Sequence, residues 1–246
     1  MWDQRDVLKT PDRKTWRYTS LRHFEDLIRT RELHFTRIDH FRDQLEGAKS
    51  DVTFYKAMRR SMATYMSQPS HLFDTSVESA FVGALGVEAA DHRFVREGLF
   101  ACCWHMNEDE TPAMWQEYGA DGVAIQSTIG RLFLATRKPV DGKNVYLIPI
   151  TYIDRKLTDT EEEVAFLYKD RAYEYEKEVR LFVLNPAQRE KMQLPDGFPT
   201  YLRVPCDRKI LVEAVHLPPQ SRDFDRVRFL LDEFGLAHVL IVTRSP

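Results

Sequence analysis

Tyr173-Glu174-Tyr175-Glu176-Lys177-Glu178-Val179-Arg180-Leu181-Phe182-Val183-Leu184 is the stretch whose reading decides the fold. From Tyr175 onward the apolar residues fall on every second position (Tyr175, Val179, Leu181, Val183), with Lys177 the exception. A period of two marks a strand buried on one face. The other face then carries Glu176, Glu178 and Arg180, spaced about 6 to 7 Å apart along a strand. At that spacing the two carboxylates feel each other and the guanidinium. Such a row fits an edge strand or solvated face whose charges discourage pairing with another chain, or the polar wall of a site.

Outward from this strand, the composition narrows the classes. The 246 residues hold 35 Lys and Arg against 38 Asp and Glu, a formal net charge of -3. No positive field is available to gather nucleic acid, so strong non-specific nucleic-acid binding is not expected. Hydrophobic residues at 43% and aromatics at 12% suffice for one substantial core, and we expect a single domain over 1–246. No apolar run is long enough to cross a bilayer, and the start Met1-Trp2-Asp3-Gln4-Arg5-Asp6 lacks the pattern of a secretory signal. A cytoplasmic protein without membrane contact is the expectation. Cys102 and Cys103 are adjacent and Cys206 is distant, which matches neither a disulfide framework nor zinc-ligand spacing, so no metal is expected.

The chain opens as strand, helix, strand: Lys14–Thr19, then a helix from Leu21 to Thr30 capped by Ser20, then Leu33–Thr36. Arg17 lies inside the first strand, where a guanidinium needs an ion-pair partner, solvent or a ligand phosphate. Two helical patterns, about Val52–Met66 and Val77–Glu97, form a helical insertion at about 50–98. Leu99–His105 reads as an apolar strand ending in Trp104 and His105. An acidic loop, Met106–Glu110, follows it. A helix then begins near Thr111-Pro112 and carries Met114, Trp115 and Tyr118 up to Gly119. Trp104, His105, Trp115 and Tyr118 line one pocket or form a core aromatic cluster.

A strand Gly122–Ser127 comes next, then a long strand 144–153 interrupted by Pro149. After the opening stretch, Tyr201–Val204 and Ile210–Leu217 read as strands, Arg222–Phe234 as a helix and His238–Val242 as the closing strand. The class is α+β. Phosphate-loop, dinucleotide-fingerprint, nucleophile-elbow and His-Glu-x-x-His motifs are all absent. Cys103, two residues before His105, is a candidate nucleophile only if that strand runs regularly through Trp104.

Taken in order, Cys103-Trp104-His105, Ala113-Met114-Trp115-x-x-Tyr118, Gly122-Val123-Ala124-Ile125 and Tyr175-Glu176-x-Glu178-x-Arg180 resemble a widespread bacterial family catalogued as a domain of unknown function. Arg17-Tyr18 and Phe41-x-Asp43-x-x-Glu46-Gly47 add to the likeness, which is spread over almost the whole chain. More remotely, the order of elements resembles the ADP-ribosyltransferase fold, an α+β domain with a split, mostly antiparallel sheet that binds NAD. That fold opens with a strand bearing Arg or His and a following Thr or Ser, and it closes with a catalytic glutamate, as Glu-x-Glu in arginine-directed members. Arg17 with Thr19, and Glu176-x-Glu178, stand at comparable places. The middle motif departs, with Cys103-Trp104-His105 and then Tyr118 where those enzymes show Ser-Thr-Ser or a tyrosine.

The resemblance implies that NAD is used as a substrate, for modification of a macromolecule or for hydrolysis, in a toxin or phage-defence setting. By the same likeness, Glu178 would stabilise the positive charge that builds on the ribose, and Glu176 would orient or deprotonate the acceptor. Arg17, Thr19, His105, Trp115 and Tyr118 would contact NAD, Arg17 through a phosphate and Trp115 or Tyr118 by stacking on the nicotinamide. Two other classes stay open: a non-catalytic module binding a nucleotide or a protein, and a Mg-dependent nuclease built from Asp43, Glu46, Glu176 and Glu178.

Overall fold

A computed structural model describes residues 9–41, 98–119, 121–136, 145–153, 167–184 and 199–243. Asp43, Glu46 and, apart from residue 98, the expected helical insertion lie outside the described residues. The architecture is α+β with mostly antiparallel pairing, and the described residues group into two compact units. One unit holds residues 10–34, 103–136 and 203–243; the other holds 35–41, 98–102, 145–153, 167–184 and 199–202.

The first unit is built on β1 (Lys14–Ser20), which pairs antiparallel with β4 (Gly122–Thr128) along its full length, from Lys14↔Thr128 to Ser20↔Gly122. β4 continues antiparallel to β10 (Ala214–Leu217), and β10 runs parallel to β11 (Leu240–Thr243). On its other side β1 meets the end of β3 (Leu99–His105) through the single pair Trp16↔His105. Beyond that pair the guanidinium of Arg17 donates to the Cys103 carbonyl (3.2 Å) and the His34 carbonyl (3.4 Å).

α1 (Leu21–Thr30) forms where the pattern Leu21, Phe24, Leu27, Ile28 offers one apolar stripe, and all four are buried. Ser20 accepts a hydrogen bond from the His23 N–H at its start. Its end is set by Arg31, whose positive φ of 61° turns the chain into β2 (Glu32–Arg37).

After β3 comes α2 (Pro112–Met114), capped by Thr111, which runs on as a π-helical turn, Trp115–Gly119. α3 (Ile129–Thr136) follows β4 without a break, its first turn held by the Thr128 hydroxyl accepting from the Arg131 N–H. The sequence reading has no helix there.

In the other unit, β8 (Glu178–Leu184) pairs antiparallel with β5 (Val145–Pro149), from Val145↔Val183 to Pro149↔Val179, and also pairs with β3. The long strand expected over 144–153 breaks after Pro149 into β5 and β6 (Thr151–Ile153), and β6 runs parallel to β7 (Tyr168–Asp170). A 3₁₀ segment, Arg171–Glu176, joins β7 to β8; Asp170 caps it by accepting from the Ala172 N–H.

This arrangement corrects the opening reading. The strand begins at Glu178, not at Tyr175, and Tyr175 is exposed rather than buried. The physical cause sits at Lys177, the residue that breaks the alternation: its φ of 45° lies in the left-handed region, which extended backbone cannot pass through. The row of charges is not a solvated edge, because β8 is flanked on both sides and Glu178 and Arg180 are buried.

A second correction falls near the C-terminal end. Tyr201–Pro205 forms β9 as expected, but the strand expected over Ile210–Leu217 is divided. Asp207 accepts from the N–H groups of Lys209 and Ile210 and turns Arg208–Leu211 into a short helix, α4, ahead of β10. α5 (Phe224–Glu233) then packs Val227, Leu230 and Leu231 into the core.

Candidate functional site

Glu176 and Glu178 reach one another from different elements. Glu176 ends the 3₁₀ segment and Glu178 opens β8, with the left-handed Lys177 folding one back toward the other. What joins them is Lys169 of β7, a residue with no signal in the sequence beyond a charge between Tyr168 and Asp170. Its ammonium donates to Glu176 Oε2 at 2.6 Å and to Glu178 Oε2 at 3.4 Å. Arg180, two residues along the same strand face, forks onto Glu178, Nε to Oε1 and Nη2 to Oε2, each at 2.8 Å.

All four residues are buried, Glu176 to 1% exposure and Glu178 to 2%. Lysine and arginine can only donate, so Glu178 meets them as a carboxylate, accepting three charge-assisted hydrogen bonds. Among the described residues, two positive and two negative charges thus meet inside the unit.

Aromatic rings wall the cluster. Phe41 lies against the Arg180 guanidinium (5.1 Å) and Tyr173 against the Lys169 ammonium (4.9 Å), both as cation–π contacts. The Tyr152 hydroxyl, on β6, accepts from the Glu178 N–H at 2.7 Å. Burial, with the Glu178 charge adding to it, pushes the Tyr152 hydroxyl far above the ordinary phenol range, so it stays protonated. Tyr173 is 37% exposed.

Of the other residues singled out in the sequence, Arg17, Thr19, His105, Trp115 and Tyr118 fall in the unit built on β1. Arg17 is half-buried and holds the two carbonyls already named, and Thr19 is buried on β1 opposite Val123. Tyr18, one residue along, stands between His105 (6.0 Å, edge to face) and Trp115 (5.2 Å, edge to face), and its hydroxyl accepts from the Thr111 N–H. Trp16, Tyr18 and Met114 are buried and pack together with the half-buried Trp115, with His105 against Tyr18; Trp104 is buried too but, next to His105 on β3, faces the other side of the sheet. Tyr118 lies in the π-helical turn.

Sequence reasoning also misses Glu110 and His216. The Glu110 carboxylate accepts from the Trp115 indole at 3.0 Å and stands 3.3 Å from His216 Nδ1. Their separation of more than a hundred residues left nothing local to read.

Glu176 and Glu178, two acids of the nuclease alternative, carry ammonium and guanidinium partners. Among the described residues no group of three or more His, Cys, Asp or Glu is placed to hold a metal ion. Also among them, no helix is long and apolar enough to cross a membrane. Comparison with protein-family models, with curated proteins and with solved structures finds no match to the chain.

Proposed function

We propose that the chain is an NAD-using enzyme of the ADP-ribosyltransferase type, with Glu178 as the carboxylate at the reacting ribose and Glu176 beside it. The observation that carries this reading is the convergence of both acids of the Glu-x-Glu pattern on one ammonium, with a guanidinium fork fixing the second acid. Burying four charges costs stability that well-packed hydrocarbon would not, so a buried cluster of this kind calls for a reason beyond folding.

The chemistry fits a fixed anion. As the bond between nicotinamide and C1′ of the ribose breaks, its electron pair leaves with the nicotinamide and positive charge develops on the sugar. A carboxylate already held in place stabilises that charge without reorganising. The acceptor, a hydroxyl, an amine or water, then bonds to C1′ and gives up a proton, for which Glu176 is the neighbouring base. Tyr173 is the partly exposed ring over Lys169.

The experiment follows the ADP-ribose itself. The protein is incubated with NAD labelled in the adenylate, alone and with a lysate of acceptors. Label on a macromolecule marks transfer, free labelled ADP-ribose marks hydrolysis, and neither product at high enzyme overturns the reading.

A second reading has its own observation. Both acids are held by ammonium and guanidinium donors among the described residues, as they would be in a non-catalytic module that binds a nucleotide or protein partner. Calorimetry showing that NAD or ADP-ribose binds unchanged, with no nicotinamide released, would select it.

A further inference from the structure

In the unit built on β1, two hydroxyls stand opposite each other in the sheet. Thr15 of β1 and Ser127 of β4 are register partners in the antiparallel pairing. Directly opposed residues of such a pair project to the same side of the sheet, with Cβ atoms about 4.5–5.5 Å apart. Both residues have 0% exposure. Among the described residues, neither Thr15 Oγ1 nor Ser127 Oγ has a hydrogen-bond partner. The polar groups nearest in the strands are engaged elsewhere. The Thr128 hydroxyl accepts from the Arg131 N–H, Gln126 spans Glu213 and His216, and the Arg17 guanidinium donates to the Cys103 and His34 carbonyls.

A hydroxyl taken out of water without a partner carries the full cost of its lost hydration, and buried polar side chains are in their large majority bonded to protein or to an ordered water. The residue types sharpen the point. Valine at 15 would keep the shape of threonine and alanine at 127 nearly that of serine, and neither would bring a polar atom into the core. A bond between the two hydroxyls meets only half of the need. It places one hydrogen on the other oxygen and leaves the second hydroxyl with its own hydrogen still to place. A water molecule meets all of it. Its two lone pairs accept both hydroxyl hydrogens, and its own hydrogens go to strand carbonyls, which keep a second lone pair when one is used in the sheet.

We propose that Thr15 and Ser127 form a binding site for one internal water molecule, which bridges β1 and β4 through the two hydroxyls. The site sets the class of its ligand. The ligand is small, because both side chains are closed off from solvent, and neutral, because two hydroxyls offer dipoles and no counter-charge. The water ties the strands side chain to side chain within a seam whose pairing continues on either side, at Lys14↔Thr128 and at Trp16↔Gln126. This site stands whether or not the chain uses NAD.

The test is crystallography of the full chain, as wild type and as Thr15→Val/Ser127→Ala, at a resolution that shows ordered waters. The wild type should show a density peak about 2.7–3.0 Å from both oxygens, and the variant no peak there. A second measurement needs no crystal: ¹⁷O relaxation dispersion of the solvent registers long-lived internal waters and is blind to the exchange of hydroxyl hydrogens. Its amplitude should fall in the variant by the share of one water, with thermal unfolding showing that both proteins are folded. Two oxygens bonded directly to each other with no peak between them, a peak that touches only one of them, or an unchanged amplitude overturns the proposal.

Discussion

Arg180 shows what the charge cluster demands of one residue. Its guanidinium matches the Glu178 carboxylate at both nitrogens and lies against Phe41, with 1% exposure. Arg180→Met keeps the volume and strips the buried Glu178 carboxylate of its two-nitrogen partner, leaving Lys169 at 3.4 Å, and a loss of about 3–5 kcal/mol in urea unfolding is expected. A loss within ~0.5 kcal/mol would mean that the pair is solvated rather than buried.

His34 gives a pH prediction with a definite sign. Burial, then the neighbouring His23, Arg17 and Arg203, lower its pKa from the ordinary 6.5, against a smaller opposing effect of Asp26; its ring stacks on His23 at 5.5 Å. A lowered folded-state value means that the unfolded chain binds the proton more readily. The stability that His34 contributes is therefore complete above pH 6.5 and is lost as the pH falls through the folded-state value. Urea midpoints measured on either side of pH 6.5 should show this slope in the wild type and a shallower one in His34→Gln; equal slopes would sink the assignment. In the sequence this residue reads only as a position in a strand, because the charges that act on it come from β1, α1 and β9.

At the scale of elements, α1 was legible from end to end, since its cap, its apolar stripe and its length all lie within a dozen residues. Ser20→Ala should cost about 1 kcal/mol by removing the acceptor of the His23 N–H, measurable in thermal unfolding. β8 was legible in its apolar alternation but not in its start. The left-handed turn at Lys177 leaves no mark on a period-two pattern except the misplaced lysine. The short helices α3 and α4 stayed hidden because Ile129–Thr136 and Arg208–Leu211 are too short to show a helical period, and their starts depend on single side chains, Thr128 and Asp207. The close pairing of β1 and β4 yields a sharper test: a Cβ on Gly122 would lie 2.0 Å from the Thr19 carbonyl oxygen. Gly122→Ala must push the strands apart there, and a loss of about 1–3 kcal/mol is expected. An unchanged melting temperature would contradict the observed register.

Across the whole molecule, the α+β class and most of the strands could be read from the sequence, and the chemistry only in part. Glu176 and Glu178 stood out because they share one short motif. Lys169, Tyr152 and Phe41 join that cluster from other elements, and no local pattern announces them. The same holds for Glu110 and His216, which meet only after β10 has taken its place beside β4. Distances in sequence of this kind erase the signal, since burial and partner are properties of the folded chain.

The functional claim rests on the negative charge of Glu178, and one rate measures it: nicotinamide release from saturating NAD by the wild type and by Glu178→Gln, with both proteins shown to be folded by thermal unfolding. Loss of one electrostatic group at the reacting centre predicts a fall of about 10²–10³-fold in the variant. Equal rates, or no release from either protein at high enzyme, would contradict it.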